Sequence, residues 1–372
     1  MQLSHFAQLV VMGLLAASLP LAMVWTSADA NKFRKLVWLT AFLTFDLIVF
    51  GAFTRLTDSG LGCPDWPGCY GMANPFLAHE QVSAAEALLP TGPVTVVKAW
   101  IEMIHRYLAM GIGFLCMALM ASAWIIRAKR PERSVGVALP TALFVAVCVQ
   151  GAFGAWTVTL KLQPVIVTTH LLLGMTLLAM LCWQGARQDA ALGLATGAGP
   201  EAGRGLRLLA RLAAVVLVLQ IALGGWVSTN YATLACSGFP LCNGVLVPPL
   251  DLEHGFTLWR ELGKTAAGHY LPFSALIAIH WVHRSFAYVV LAVLGLAAWR
   301  AWRHPAMRKS ARLIAVVLVL QACTGIATVY FNFPLAIAVL HNAGAALLVV
   351  GVTMLNYQTT RRCSAPAPAR PD

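Results

Sequence analysis

Between Lys98 and Met110 the chain reads KAWIEMIHRYLAM, which sets Glu102, His105 and Arg106 inside a stretch otherwise apolar enough to cross a membrane. Ionisable groups are costly in hydrocarbon, so such a cluster marks a functional site by default. The same His-Arg step returns in IHWVHRSFAY at 279–288, with His280 standing where Glu102 stood and His283 and Arg284 matching His105 and Arg106. His170 and His341 form a second matched pair in later apolar runs. Two imidazoles per site, with no convergent carboxylate pair and no thiol at that depth, suit haem iron better than zinc or a di-iron centre. Any one of these histidines alone would read as a hydrogen-bonded interior residue. Four in register read as ligands.

The elements that must position them are membrane helices. The chain has 372 residues, of which 59% are hydrophobic and 11% charged, and its mean hydropathy is +0.74. Its apolar runs reach the ~20 residues that span a bilayer. A net charge of +12 could suggest nucleic acid, but the basic residues stand in short clusters between apolar runs, as orientation signals do. The patterning predicts helices over 6–25, 36–54, 98–126, 136–158, 164–186, 207–228, 271–299, 312–331 and 334–357. Alternate loops then sort by charge. One side collects clusters around Lys32–Lys35, Arg127–Arg133, Arg187–Arg211, Arg300–Arg312 and Arg361–Arg370, whereas the other has only Arg55, Lys98, Lys161, Arg260 and Lys264. The first side is therefore expected to be cytoplasmic. The first run could be a cleaved signal, given Ala28-Asp29-Ala30, but it lacks basic residues before it, and cleavage would leave Lys32, Arg34 and Lys35 outside. A retained helix with its N-terminus outside is the preferred reading.

The organisation is a duplication. Cys63, Pro67, Cys69 and Gly71 recur at one constant offset as Cys236, Pro240, Cys242 and Gly244; Gln150-x-x-x-Gly154 recurs as Gln321-x-x-x-Gly325, in step with His170 and His341. Both halves begin from the cytoplasm, which makes them parallel repeats about an axis along the membrane normal. The expected fold is an all-α integral membrane protein of two four-helix transmembrane bundles plus one extra N-terminal helix. Its parts are the extra helix, 1–30; a first half, 31–190, with an outer loop at 55–97; a cytoplasmic linker, 191–206; a second half, 207–360, with an outer loop at 229–270; and a disordered tail, 361–372. Ser83 to Leu89 suits a short surface helix in the first loop. Asp46 is expected to be buried.

Depth ties the histidines together. His105, His170 and His341 lie six or seven residues from the outer ends of their predicted helices, about 10 Å down at ~1.5 Å per residue, with His283 deeper. In each half they come from the second and fourth helices and can face each other across a bundle core, where cofactors sit. Glu102, three residues before His105, shares its helix face. It can accept a proton, stabilise a cation, or simply pair with Arg106. His280 in its place makes the halves chemically unequal, one reactive and one accessory or electron-transferring. Arg106 and Arg284 suit haem propionates or lipid headgroups equally. Cys236 and Cys242 suit a disulfide staple on the outer side, where disulfides persist. Cys63 and Cys69 suit either a staple or a redox pair. Cys116, Cys148, Cys182 and Cys323 read as inert helix packing. His79, His254 and His269 receive no role. Gln150, Gln220 and Gln321, each four residues before a glycine, are expected to help close helix packing.

These residues resemble the haem A synthase family, in its cysteine-bearing bacterial branch. The likeness runs from about Asn31 to Tyr357 and is most specific in GAFTRLTDSGLGCPDWPGC at 51–69 and E-x-x-H-R at 102–106. It implies oxidation of the C8 methyl of haem O to a formyl group, giving haem A for terminal oxidases, by two successive hydroxylations through an alcohol. Carried over, His105 and His170 would bind the haem O iron and Glu102 would support the oxidation. His283 and His341 would ligate haem B. The expected partners are haem O, a haem O synthase, terminal oxidase assembly factors, membrane lipid and an electron donor that the residues do not name, with a homo-oligomer as a further option and no nucleic acid. The expected location is a bacterial inner membrane, multi-pass, with the cysteine loops periplasmic and the C-terminus cytoplasmic. A dihaem b cytochrome passing electrons from quinol is the rival enzyme-free reading, but it leaves the Glu102/His280 difference without a purpose. A transporter would call for helix breaks beside the histidines, and no glycine or proline breaks are seen there.

Overall fold

A computed structural model describes residues 4–130, 136–194 and 203–360. Arg133 and the basic residues of the tail, the tail itself at 361–372, and the centre of the expected linker lie outside these residues. The helices are α1 (His5–Trp25), α2 (Lys32–Leu56), α3 (His79–Leu88), α4 (Val96–Lys129), α5 (Ala138–Thr159), α6 (Pro164–Ala191), α7 (Arg204–Thr229), α8 (Leu252–Phe256), α9 (Phe273–Trp302), α10 (Arg308–Tyr330) and α11 (Leu335–Thr360). All but α3 and α8 are long and apolar enough to cross a membrane, nine among the described residues. The chain is an all-α, multi-pass membrane protein.

Local chemistry fixes where these helices begin and end. Thr95 caps α4 by accepting the Lys98 amide at 3.2 Å, which supplies a partner for a donor the first turn leaves free. Pro164 stands in the first turn of α6, where its missing N–H costs nothing. Paired left-handed residues reverse the chain between α5 and α6 (Lys161, Leu162) and again between α10 and α11 (Asn332, Phe333). Asp58 and Tyr231 turn the chain in the same way just after α2 and α7. Corresponding turns in the two halves thus use corresponding backbone.

Packing divides the helices into two rings. In the first, α2 packs on α4, α4 on α5, α5 on α6 and α6 on α2; in the second, α7 packs on α9, α9 on α10, α10 on α11 and α11 on α7. The rings meet where α6 touches α7, where α2 touches α11, and where α6 touches α11. The first two contacts are counterparts, and the third joins two counterparts, so the junction is itself two-fold in its contacts. At the C-terminal ends of α2 and α7, Arg55 donates to the Ser228 carbonyl at 2.7 Å and to the Tyr231 hydroxyl at 3.0 Å, and Tyr231 donates to Asp58 at 2.7 Å. Burial raises the Tyr231 hydroxyl above its ordinary pKa.

The extra helix α1 packs along α4. In lipid there is little hydrophobic force between helices, so close packing over small residues must hold them. A Cβ on Gly13 would meet Met110 at 2.8 Å, and one on Gly111 would meet Ala16 at 3.0 Å. The N-terminal end of α1 places Leu9 in a cluster with Cys63, Cys69, Met103 and Tyr107. Among the described residues no helix covers the corresponding side of α9, where Tyr288 and Val289 are exposed.

Some expectations need correction. Asp46 is exposed, not buried. It shares a side of α2 with Phe42, one turn earlier and also exposed, while Thr40, Thr44 and Gly51 face the bundle. Cys116 and Cys182 are buried, but Cys148 and Cys323 are exposed on the helix surface. The surface helix begins at His79, four residues before the expected start, and His79 Nδ1 bonds the Ser83 hydroxyl inside it at 3.0 Å. The helix α8 was not expected; Asp251 caps it by accepting the His254 amide at 3.0 Å.

Candidate functional site

In both halves a glycine stands against each of the four repeated histidines. A Cβ on Gly51 would meet Cε1 of His105 at 3.0 Å, and one on Gly224 would meet Cε1 of His283 at 3.0 Å. On Gly154 it would meet Cε1 of His170 at 3.2 Å, and on Gly325 Cε1 of His341 at 3.2 Å. Both distances are shorter than ordinary carbon contacts. Each imidazole therefore lies on bare backbone of a neighbouring helix, α2 or α5 in the first half and α7 or α10 in the second. His170 lies within electrostatic reach of His105, and His341 within reach of His283. The ring of Phe50 lies 6.0 Å from that of His105.

The donor set fits a group that takes one imidazole from each of two helices. Nδ1 of His105, His170 and His283 is buried without a hydrogen-bond partner, and such orphans in a native interior call for a ligand, ion or water. Nδ1 of His341 instead bonds the Thr324 hydroxyl at 2.9 Å. Among the described residues no three His, Cys, Asp or Glu side chains gather as a metal site, which leaves the histidine pairs as the metal-binding chemistry on offer. A haem, with two axial positions, matches one pair per half.

Glutamines contribute a layer that spacing alone did not assign. Gln150 Nε2 donates to the His170 carbonyl at 3.0 Å, and Gln220 Nε2 donates to the His283 carbonyl at 3.3 Å. Gln321 lies against Gly344 on the helix that bears His341. The signal was present as glutamines in apolar helices four residues before a glycine. Its meaning, a grip on the backbone of the histidine turn, needs the neighbouring helix to be seen.

Glu102 is buried, and both its oxygens are engaged. Oε2 accepts the Cys63 amide at 2.8 Å, with the Gly62 amide beside it, and Oε1 accepts from Arg106 at 2.5 Å. Gly62 lets the loop touch the backbone of Lys98 and Ala99, where any Cβ would collide. Arg106 also donates to the carbonyls of Asp65 at 3.0 Å, Pro67 at 3.3 Å and Gly68 at 2.5 Å. Nη1 also lies 3.7 Å from the Met103 sulfur, so the guanidinium's bonds run to Glu102, Met103 and the cysteine loop. Cys63 and Cys69 form a disulfide, as do Cys236 and Cys242. All four are buried.

The second half repeats this frame with different chemistry. His280 Nδ1 faces the Cys236 amide at 3.3 Å, and Arg284 donates to the carbonyls of Gly238 at 2.9 Å and Leu241 at 3.3 Å. The structure thus brings Glu102 together with Arg106 and the first cysteine loop, and His280 with the second. His79 begins α3, His254 lies in α8 and pairs with Asp251 at 2.8 Å, and His269 lies in the segment between α8 and α9.

Comparison with known proteins places these features in context. Residues 34–353 match the model of a family described as cytochrome oxidase assembly protein. A protein of Shewanella oneidensis named heme A synthase is 37% identical over 87% of this chain and 96% of its own length. Proteins of the same name from Chelativorans and Methylobacterium species are 30% and 32% identical, over 91% and 86% of this chain and 94% and 90% of their own lengths.

Proposed function

Because the chain belongs to the cytochrome oxidase assembly family and is a heme A synthase by its relatives, we propose that it oxidises the C8 methyl of haem O to a formyl group in the first half while the second half holds haem B. Haem is both substrate and product of this enzyme. The observation that carries the division of labour is the substitution of His280 for Glu102 in an otherwise matched frame: the same amide contact from the first cysteine of each loop reaches a carboxylate in one half and an imidazole in the other.

In this reading His105 and His170 hold the haem O iron, with Gly51 and Gly154 giving their rings room. Glu102 stands one helical turn from His105, on the reacting side, and serves the oxidation as proton acceptor or as stabiliser of developing positive charge. Its carboxylate is held in one direction by Cys63 and Arg106, the kind of preorganisation that lets a charge act without first reorienting. His283 and His341 hold haem B, with Gly224 and Gly325 in the same supporting role. When bound, haem B supplies one-electron storage beside the reacting half. Gln150 and Gln220 hold the backbone of the histidine turns, and Gln150 also reaches the His170 ring at 3.4 Å. Both disulfides staple the loops that cap the sites.

The loops bearing the disulfides lie on the periplasmic side of a bacterial inner membrane, and the C-terminus lies in the cytoplasm. The charge pattern of the loops supports this orientation. A haem O synthase and oxidase assembly factors are the expected neighbours. The test is to co-express the chain with a haem O source and identify extracted haems by mass. Wild type should yield haem A, and Glu102→Gln should accumulate haem O or the alcohol while keeping its haem B spectrum. Haem A formed at the normal rate by Glu102→Gln would remove the carboxylate from the chemistry.

A further inference from the structure

We propose that Arg106 is the positioning residue for Glu102, clamping its carboxylate to the ring closed by Cys63–Cys69. The starting observation is where the guanidinium's bonds go. Nη1 of Arg106 is spent on the carbonyls of Asp65, Pro67 and Gly68, all inside the segment the disulfide closes, and Nη2 on Glu102 Oε1. The second carboxylate oxygen is held from the same ring, by the amide of Cys63. Tyr107, the next residue on α4, anchors the far side of the loop by donating to the Ala73 carbonyl at 2.7 Å. The direction of Glu102 is therefore set by the loop as well as by its own helix.

The second half supplies the comparison. Gly238 and Leu241, whose carbonyls accept from Arg284, are the repeat counterparts of Asp65 and Gly68. The arginine-to-loop bonds are common to both halves. What differs is the remaining guanidinium nitrogen: in the first half it holds Glu102, and in the second Nη1 of Arg284 is buried with no hydrogen-bond partner among the described residues. His280, in the place of Glu102, brings an imidazole and no carboxylate to that half. The carboxylate-holding arm of the clamp thus belongs to the first half alone.

Arginine suits this work because its planar fork donates in two directions at once, whereas the ammonium of lysine is a single point of charge. Lysine at 106 should keep the charge but cannot hold the loop and the carboxylate together, so the direction of the carboxylate changes whichever partner the ammonium keeps. The proposal rests on the assignment of Glu102 to the reaction only for its effect on rate; the clamp itself can be read without turnover.

The experiment compares purified Arg106→Lys, Arg106→Gln and Arg284→Gln with wild type. Three quantities are followed: haem A formed per haem B, the infrared carboxylate band assigned to Glu102 by its loss in Glu102→Gln, and the rate at which dithiothreitol opens Cys63–Cys69. Both Arg106 variants should lower haem A formation at least ten-fold with haem B retained, shift the Glu102 band, and speed opening of the first disulfide several-fold. Arg284→Gln should leave the Glu102 band and the first disulfide unchanged. An unshifted Glu102 band in Arg106→Lys, or haem A formation within two-fold of wild type in both Arg106 variants, overturns the proposal. Should wild type make no haem A, the catalytic assignment fails, and the band and the disulfide still decide the clamp.

Discussion

Adding one methyl group to each histidine-facing glycine should separate the two haem sites. A Cβ at Gly51 or Gly224 would lie 3.0 Å from an imidazole carbon, and one at Gly154 or Gly325 3.2 Å from it. Carbon pairs rest near 3.5–4.0 Å, so the ring must retreat by roughly 0.5 Å or the helix must move. Overfilling a packed interior costs about 1–3 kcal/mol, and a ligand set tolerates only about 0.5 Å of displacement. Against this, alanine is favoured over glycine within a helix by about 1 kcal/mol. The difference leaves about 0–2 kcal/mol against the fold, while the helix gain does nothing for the ligand. The melting temperature should therefore fall modestly at most, while haem retention falls about 5- to 150-fold in the affected half, the range that the overpacking cost of about 1–3 kcal/mol corresponds to. Gly224→Ala should lose haem B first and Gly51→Ala should lose haem A formation first, each more than its 3.2 Å counterpart in the same half. The assay is haem content by redox difference spectrum, alongside haem A yield and a melting curve. If all four alanine variants keep wild-type haem content in both halves, the glycines do not cradle ligands, and the site is wrongly built.

Three other perturbations probe the supporting structure. Gln150→Leu removes the 3.0 Å bond to the His170 carbonyl and should cost about 0.5–1.5 kcal/mol, read as a lower melting temperature with weakened haem O retention and an intact haem B spectrum. Arg55→Ala breaks the junction's bonds to Ser228 and Tyr231; it should lower the melting temperature and release Tyr231 as a cleavage site for limited proteolysis, whereas an unchanged digestion pattern would argue against a latch. Gly111→Leu fills the α1–α4 crossing, where even a Cβ would lie 3.0 Å from Ala16, and should free α1 to alkylation at a cysteine placed at Leu9 while leaving haem B in place.

Much of this molecule could be read from its residues, because membrane helices announce themselves. All nine long helices lie where hydropathy put them, with ends displaced by a few residues. The histidines and cysteines were legible because duplication wrote each twice. Residues whose meaning depends on a neighbour were harder. Asp46 looked buried because hydropathy carries no direction around the helix, and only packing shows which side faces outward. Cys148 and Cys323 failed for the same reason. Arg106 was left between propionate and headgroup, since no spacing rule brings the carbonyls of Asp65 and Gly68 within reach of a helix tens of residues later. The glycines facing the histidines were visible as letters, but their contact with the rings belongs to tertiary structure. The α8 turn escaped because five residues in a polar loop leave no periodicity.

The central claim is that one half processes haem O while the other retains haem B. It is tested most directly by purifying the full chain from cells that supply haem O, extracting its haems and identifying them by mass and pyridine haemochrome spectrum. Haem B together with haem O, the alcohol or haem A is the predicted result, with haem B lost in His283→Ala and the others lost in His105→Ala. Haem B alone would leave a b-type cytochrome as the better description, and protein free of haem would contradict the account.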